Sequence, residues 1–330
     1  MEHIHEVIED VGTLSDGYLF RDGFCFTAGS ESNVYDAIVV KNPGQCRLWS
    51  PKLGTSGRSL EEHIQLINEN RLKRAVIIAE DIGFLVRCSS IAHIVLHLGD
   101  EAPEKMDLSA LHEMPNLQSV SCRLQYGGPL EPKSTTLDYG KMPQLRDLAI
   151  SGKGHRNYEQ LRKLERFWMS EDKRHRDFTD FSDSDGMKRM DFIQCDFRSL
   201  RGIERHPNLQ WLSLTYMRAL EDISDLVSIQ DSLRALALDG CPKIKDFSCL
   251  YELHNLEHLE LMGSNEIPDL EFLKNMPKLK TFSFSVTVKS NNVTPCLQVP
   301  YVWMKNGRKS YNLRPKDMPQ NKTGGVELKE

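Results

Sequence analysis

One apolar frame recurs in the second half of this sequence and restricts its fold more than any other feature. The frame reads L-x-x-L-x-L and stands at Leu209/Leu212/Leu214, Leu233/Leu236/Leu238, Leu256/Leu259/Leu261 and Leu279/Phe282/Phe284. The first residues of successive frames are 24, 23 and 23 residues apart. Self-similarity at a fixed period of this length is typical of a solenoid, in which each repeat buries its apolar side against the next.

Within one period the apolar spacing changes from two residues to three. The last residues of the frame alternate, which predicts a short strand with its apolar side inward. Beyond the strand every third residue is apolar, as at Leu220, Ile223 and Leu226, and this spacing predicts a 3₁₀ turn or a short irregular helix. Aspartates precede these helices, where they are expected to cap exposed N–H groups. They are Asp222, Asp246 and Asp269.

The segment of residues 267–284 carries a family resemblance. It follows the run I-x-D-L-x-x-L and then L-x-x-L-x-L, and so resembles the short leucine-rich repeats of internalins and of the phosphatase-regulator type. The resemblance implies an α/β solenoid with a curved parallel inner sheet and short helices or 3₁₀ turns on the convex side. Binding is the role that it implies, without a particular partner.

The chain departs from this family at one position of the repeat. Classical leucine-rich repeats place an asparagine three residues beyond the strand, where it bonds neighbouring backbones. The corresponding residues here are Met217, Cys241, Ser264 and Thr287. We therefore expect the asparagine ladder to be mostly absent.

Weaker copies of the frame extend the pattern toward the N-terminus. They stand at Leu72/Ala75/Ile77, Ile91/Ile94/Leu96, Leu117/Val120/Cys122, Leu145/Leu148/Ile150, Leu164/Phe167/Met169 and Met187/Met190/Phe192. Ser59 and Glu62 form a capping box, which predicts a helix before the first copy. The sequence thus predicts a solenoid of about ten repeats over residues 59–288.

The two ends of the chain do not follow the repeat. Residues 1–58 contain a hairpin signal around Asp22 and Gly23, which predicts a small β-rich cap, with a separate binding module as the alternative. After Val288 the rhythm fails. The Asn306–Gly307 pair then predicts a capping hairpin within residues 289–330, followed by a disordered tail from Pro315.

Composition excludes several classes of protein. A net charge of −5 argues against a general nucleic-acid binder, and no apolar run is long enough to insert in a membrane. The acidic start lacks the pattern of a secretory signal, so we expect a cytoplasmic protein. We also expect a monomer. The eight cysteines include no C-x-x-C pair, which favours reduced thiols over the alternative of disulfides.

Motifs of catalysis and of metal binding are missing from the sequence. It has no phosphate-binding glycine loop, no H-E-x-x-H and no nucleophile elbow. His93 and His97 on one strand would stand about 13 Å apart, too far to share one ion. Residues 183–186 lack the later ligands of a calcium loop. We therefore expect no enzyme activity, no metal and no cofactor.

The candidate site is the concave face, formed by the polar positions of the frames. Its predicted partner-binding residues are Arg166, Trp168, Arg189, Asp191, Trp211, Tyr216, Asp239, His258 and Glu260. Tryptophan and tyrosine among charged residues resemble a protein-binding hot spot. The alternative is that these rings pack against each other or under a terminal segment.

The predicted function is non-catalytic binding of another protein on this face. An inhibitory or immunity-type regulator is a narrower form of the same hypothesis. Two alternatives remain open: a structural scaffold in a larger assembly, and an enzyme with an unrecognised site in residues 1–58.

Overall fold

The computed structural model describes residues 37–40, 59–78, 81–97, 107–122, 137–151 and 154–320. The chain divides into two compact units, and the boundary follows Trp168. Each unit consists of short parallel strands joined mainly by 3₁₀ helices. This alternation agrees with the change of apolar period from two residues to three.

The first unit opens with a strand and the helix α1 (Leu60–Glu69). Its strands are β1 (Ala37–Val40), β2 (Arg74–Ile78), β3 (His93–His97), β4 (Ser119–Cys122), β5 (Leu137–Asp138), β6 (Asp147–Ser151), β7 (His155–Arg156) and the start of β8 (Arg166–Ser170). Its 3₁₀ helices are Gly83–Arg87, Ser109–Glu113, Tyr139–Lys141 and Tyr158–Gln160. Strands β1, β2, β3, β4 and β6 pair in parallel in this order, and β5 pairs separately with β7.

The predicted capping box starts α1. The backbone N–H of Ser59 donates to Glu62 Oε2 at 2.6 Å, and the N–H of Glu62 donates back to Ser59 Oγ at 3.3 Å. The reciprocal bonds satisfy donors that the first helical turn leaves free. Ile64 and Ile67 form the buried side of this helix, as the sequence predicts.

The second unit repeats the same pattern with more regular spacing. Its strands are β9 (Arg189–Ile193), β10 (Trp211–Thr215), β11 (Ala235–Asp239), β12 (His258–Met262), β13 (Glu266–Ile267), β14 (Thr281–Phe284), β15 (Thr287–Val288) and β16 (Tyr301–Met304). Its 3₁₀ helices are Ile203–Arg205, Ser224–Ile229, Ser248–Glu252, Glu271–Asn275, Thr294–Gln298 and Pro315–Asp317. Strands β9, β10, β11, β12, β14 and β16 pair in parallel in this order, and β13 pairs with β15.

The middle leucines of the frames stack in the core of this unit. Leu212 pairs in register with Leu236, and Leu236 pairs with Leu259. Their exposed fractions are 0%, 2% and 2%. Stacking at one register buries the apolar side chains of each repeat against those of the next repeat. The predicted parallel solenoid core is therefore confirmed.

Aspartate side chains precede the 3₁₀ helices, as the sequence predicts. Asp222, Asp246 and Asp269 each accept a hydrogen bond from the backbone N–H two residues later, at 2.9, 2.8 and 2.8 Å. Each bond satisfies an N–H that the start of a short helix cannot pair internally.

Side-chain ladders between repeats differ from the expectation. Cys241 lies at the ladder position and its Sγ contacts Leu214 O at 3.4 Å, as a weak hydrogen bond. Asn265, one residue after the expected position, donates to Cys241 O at 2.9 Å and to Ile244 O at 3.0 Å. The sequence frame missed Asn265 because the ladder residue is shifted by one position.

Three further asparagines join each repeat to the one before it. Each precedes the first leucine of a frame, and its amide donates to a backbone carbonyl in the preceding repeat. The pairs are Asn116 with Ser89, Asn208 with Asp185 and Asn255 with Gln230. The recurrent Asn-Leu dipeptide was the sequence signal for this second ladder.

The predicted C-terminal hairpin is wrong. Strand β16 pairs in parallel with β14, and Val299, Val302 and Met304 are buried at the three frame positions. The pattern was missed because Ser290 interrupts the apolar spacing while the following frame is intact. The chain is also ordered for several residues after Pro315, where a disordered tail was predicted. Pro315–Asp317 is a 3₁₀ helix, and Met318 is 4% exposed.

Most of the predicted N-terminal cap, including its hairpin around Asp22, lies outside the described residues. Strand β1 belongs to that region and continues the repeat sheet in parallel, with Ala37 opposite Ala75. A strand at this edge shields the main-chain groups of β2. The cap as a whole stays a prediction.

Candidate protein-binding surface

The sheet of the second unit has one covered side and one open side. In β10 the side chains of Leu212 and Leu214 are buried, whereas those of Trp211, Ser213 and Thr215 are partly exposed. Side chains at the first, third and fifth strand positions lie in rows on the open side, which we call the open face. The first row is Arg189, Trp211, Ala235, His258, Thr281 and Tyr301; the second is Asp191, Ser213, Ala237, Glu260, Ser283 and Trp303.

Three predicted residues form a linked cluster at the β9 end of the open face. Arg189 Nε donates to Asp191 Oδ2 at 2.7 Å, and Trp211 Nε1 donates to Asp191 Oδ1 at 3.2 Å. The Arg189 guanidinium carbon stands 4.6 Å from the centre of the Trp211 ring, in a cation–π contact. The cluster holds the indole in one orientation and uses both oxygens of Asp191.

Asp191 is therefore not the exposed carboxylate that the sequence predicted. Its exposed fraction is 8%, because Arg189 and Trp211 cover it. The same bond engages the guanidinium of Arg189, so this side chain is not free to pair with a partner's carboxylate. The cluster offers a partner the outer side of Trp211 and little net charge.

The two predicted residues of the first unit do not form an exposed site. Trp168 is 2% exposed, and every residue of β8 except Arg166 is buried. Both sides of this strand are covered, so the alternation that exposes one side of β10 is lost. Arg166 Nε donates to Asp147 Oδ1 at 2.7 Å in a largely buried ion pair. The prediction that Trp168 is exposed is wrong.

Tyr216 lies at the end of β10 and is 49% exposed. Its φ of 53° is left-handed, and the residues after β9 and β11, Gln194 and Gly240, have φ of 55° and 64°. In this conformation the Tyr216 N–H donates to Asp239 O at 2.7 Å, across to the next strand. A Cβ on Gly240 would stand 2.5 Å from Tyr216 Cδ1, so the ring lies against the glycine backbone. The absence of a side chain at residue 240 fixes where the tyrosine lies.

Asp239 and Glu260 lie on neighbouring strands in the centre of the open face. Glu260 pairs in register with Ala237, so Asp239 is its diagonal neighbour. Burial and the Asp239 carboxylate raise the pKa of Glu260, while Lys305 lowers it. Like charges that share a partly desolvated place disfavour ionisation of one another.

His258 is held within the face. Its Nδ1 lies 2.8 Å from Thr281 Oγ1, on the next strand. Burial lowers the pKa of this histidine, so the ring is mainly neutral near pH 7. It contributes shape and hydrogen bonding to the surface more than charge.

The structure adds an aromatic residue that the sequence analysis missed. Trp303 on β16 is 45% exposed, and it stands in register with Ser283 and, one strand further, Glu260. Lys305 Nζ lies 6.0 Å from the centre of the Trp303 ring. The residue escaped notice because its strand was predicted as a hairpin, although the frame of Val299 and Val302 would have located it.

The described ranges contain no cluster of side chains suited to a metal ion, and their cysteines are buried. Within the described ranges, no group of three or more His, Cys, Asp or Glu side chains could hold a metal ion. The cysteines of those ranges are free and buried: Cys88, Cys122, Cys195, Cys241, Cys249 and Cys296. Burial raises the thiol pKa to about 11 for Cys88 and Cys241, and to about 12 for the other four. These thiols are therefore protonated and poor nucleophiles near neutral pH.

Parallel strands, 3₁₀ connections and a period of 20–24 residues in the second unit define a leucine-rich-repeat fold. No protein-family model and no curated protein match this chain. Among the helices in the described ranges, none combines the length and the apolar character needed to span a membrane.

Several solved structures are similar to the chain at low identity. An internalin, InlF of Listeria monocytogenes, is 14% identical with a TM-score of 0.48, over 71% of this chain and 67% of the internalin. A leucine-rich-repeat protein of Leptospira interrogans is 11% identical with a TM-score of 0.34, over 78% and 83% of the two chains. Internalin C2 of Listeria monocytogenes is 15% identical with a TM-score of 0.33, over 71% and 80%.

Proposed function

We propose that this chain is a non-catalytic interaction module that binds another protein through the open face of its second unit. The observation that carries the proposal is a pair of exposed aromatic side chains, Trp303 on that face and Tyr216 directly after β10. Tyr216 and Trp303 are 49% and 45% exposed. Tryptophan and tyrosine are enriched among the residues that dominate the energy of protein interfaces.

The residues between the two rings support the same proposal. Small side chains occupy the intervening strands, at Ala237 on β11 and Ser283 on β14. Strands stand about 4.8 Å apart, so four intervals from β10 to β16 place the aromatic ends about 19 Å apart. A partner segment can lie between them and contact both rings, with Trp211 held at one side by Asp191.

The test compares capture of partners by matched variants. Immobilised wild-type protein, Tyr216→Ala, Trp303→Ala and Leu297→Ala are exposed to a lysate of the source cells, and bound proteins are quantified by mass spectrometry. Leu297 is the control, because it is 49% exposed but lies in the 3₁₀ helix Thr294–Gln298, away from the open face. A specific partner should be lost from both aromatic variants and retained by Leu297→Ala.

Affinity for the identified partner then decides the assignment. Each aromatic truncation should weaken binding by about 2 kcal/mol or more, which is the range of hot-spot residues. Melting temperatures of the variants should stay near that of the wild type, since both rings are half exposed. Equal partner binding by all four proteins would overturn the proposal.

An inhibitory or immunity-type role is the narrower form of this proposal. It requires that the captured partner has an activity and that wild-type protein lowers it. Trp303→Ala should then inhibit less, in proportion to its loss of affinity. A partner whose activity is unchanged at saturation would leave binding without inhibition, as in a scaffold.

We also propose a monomer in a reducing compartment such as the cytoplasm. The free thiols of the described ranges support the reducing compartment, since paired cysteines dominate in oxidising ones. Light scattering of the purified protein should give the 37.8 kDa mass of one chain. A dimer mass would contradict the monomer.

A further inference from the structure

The centre of the open face holds two carboxylates, those of Asp239 and Glu260. Other acids of this region are paired: Asp191 accepts from Arg189, and Glu257 forms an ion pair with Lys280. Among the described residues, Asp239 and Glu260 have neither an ion pair nor a side-chain hydrogen bond. Lys305 acts on Glu260 only through a long-range charge interaction, and its Nζ lies 6.0 Å from the centre of the Trp303 ring.

The two carboxylates stand between the aromatic ends of the face. Tyr216 adjoins Asp239, because the Tyr216 N–H donates to Asp239 O at 2.7 Å. On the other side, only Ser283 separates Glu260 from Trp303 along one register row. Aromatic rings beside unpaired carboxylates form a surface that attracts a cation with an aliphatic stem.

The floor beneath this surface leaves room for such a side chain. Ala237 and Ser283, the register neighbours of Glu260, are small and partly exposed. A long side chain from a partner can lie across these residues and bring its charged end to the carboxylates.

We infer that the open face accepts a Lys or Arg side chain of the partner protein between Tyr216 and Trp303, with Asp239 and Glu260 as its counter-charges. This inference rests on the proposed function and specifies the chemistry of the partner. Partial burial of Glu260 strengthens the interaction, since a charge pair is worth more where water is partly excluded. Burial and the Asp239 carboxylate raise the pKa of Glu260, so a partner's cation at this place would favour the charged form of both acids.

The test uses two defined peptides in place of the unidentified partner. One is acetyl-Gly-Leu-Arg-Leu-Gly-amide, and the other has citrulline for arginine, which keeps the shape and removes the charge. Each is titrated into ¹⁵N-labelled full-length protein while the indole N–H signals of Trp211 and Trp303 are followed by NMR. The arginine peptide should shift the Trp303 signal with millimolar affinity, and the citrulline peptide should bind about tenfold more weakly.

Variants of the carboxylates provide the control for charge. Asp239→Asn with Glu260→Gln should weaken arginine-peptide binding about tenfold, to the level of the citrulline peptide. Glu204→Gln removes an exposed acid from the 3₁₀ helix Ile203–Arg205 and should leave binding unchanged. Far-ultraviolet circular dichroism checks that the double variant is folded.

The outcomes separate this inference from the proposed function. Equal binding of both peptides, unchanged binding by the double variant, or no shift of the Trp303 signal at millimolar peptide would overturn the cationic anchor. If partner capture still depends on Trp303 in those cases, the proposed function stands. Suppose that the arginine peptide binds more tightly than the citrulline peptide, but partner capture does not depend on Trp303 or Tyr216. That result would overturn the proposed function alone.

Discussion

His206 is a buried titratable side chain without a hydrogen-bond partner among the described residues. It is 2% exposed, and its ring meets Phe178 edge to face at 6.3 Å. Burial lowers its pKa from the ordinary 6.5 to about 4. The neutral ring fits the apolar surroundings, and the cost of burying the charged ring outweighs the favourable influence of Asp183 and Glu204 on it.

This histidine should make the fold sensitive to acid. Between pH 6.5 and about 4 the unfolded chain binds a proton that the folded chain does not, so stability falls as pH falls through that window. With about 1.4 kcal/mol for each pKa unit, the loss approaches 3 kcal/mol. Urea unfolding at pH 7 and pH 4.5 should show a smaller difference for His206→Leu than for the wild type. An equal difference in both proteins would contradict the assignment.

The short helices of the second unit depend on capping aspartates more than on their own propensity. A helix of five residues, such as Ser248–Glu252, has few internal hydrogen bonds to offset its free N–H groups. Asp246 accepts one of these, from Ser248 at 2.8 Å. The same geometry recurs at Asp222 and Asp269, so each repeat closes its turn in the same way.

Asp246→Ala should destabilise the protein by about 1 kcal/mol, as loss of a capping side chain does elsewhere. The matched control is Asp231→Ala, since Asp231 is exposed and its side chain caps no helix among the described residues. Chemical unfolding of both variants measures the difference. Equal stability of the two would show that the aspartate bond adds nothing net.

The last strand is covered by a short segment that is not itself a strand. Val302 N–H on β16 donates to Pro319 O at 2.9 Å, and Gln320 Nε2 donates to Val302 O at 2.9 Å. The segment thereby occupies main-chain groups that a free strand edge would offer to another molecule. Met318, 4% exposed, anchors it in the core.

Removing this cover should promote self-association. A chain that ends at Asp317 exposes the edge of β16, whereas a chain that ends at Gln320 keeps the cover and serves as the control. Light scattering at increasing concentration should show oligomers for the shorter chain only. Monomers in both cases, with both chains folded, would refute the role of residues 318–320.

The positions of the repeats were readable in the sequence, and the exposure of their polar positions was not. Leucine frames located strands β2 to β14 of the main sheets because a strand and a three-residue period leave a strong apolar pattern. Trp168 and Trp211 both stand between the apolar residues of their frames, yet one is buried and the other partly exposed. That difference depends on what covers the strand, which a local pattern does not contain. Trp303 was missed for the opposite reason, since one polar residue, Ser290, hid an intact frame.

At the scale of the whole molecule, stability is a sum of contacts between neighbouring repeats. Leu236 is 2% exposed and stands in register between Leu212 and Leu259. Leu236→Ala should therefore cost about 2–5 kcal/mol, because it leaves a cavity between stacked repeats. Hydrogen exchange should accelerate most in β10, β11 and β12. A uniform acceleration over all strands of the second unit would indicate a single cooperative block instead.

The buried thiols can report how often each repeat opens. A thiol with a pKa of about 12 is ionised to about one part in ten thousand at pH 8, so iodoacetamide reacts with it only after local opening. Cys122, Cys195, Cys249 and Cys296 have such a pKa and sample four separate repeats along the chain. Labelling resolved by peptide mass should rank those repeats by how often each one opens, without any mutation. Simultaneous labelling of all four would mean that the repeats open together.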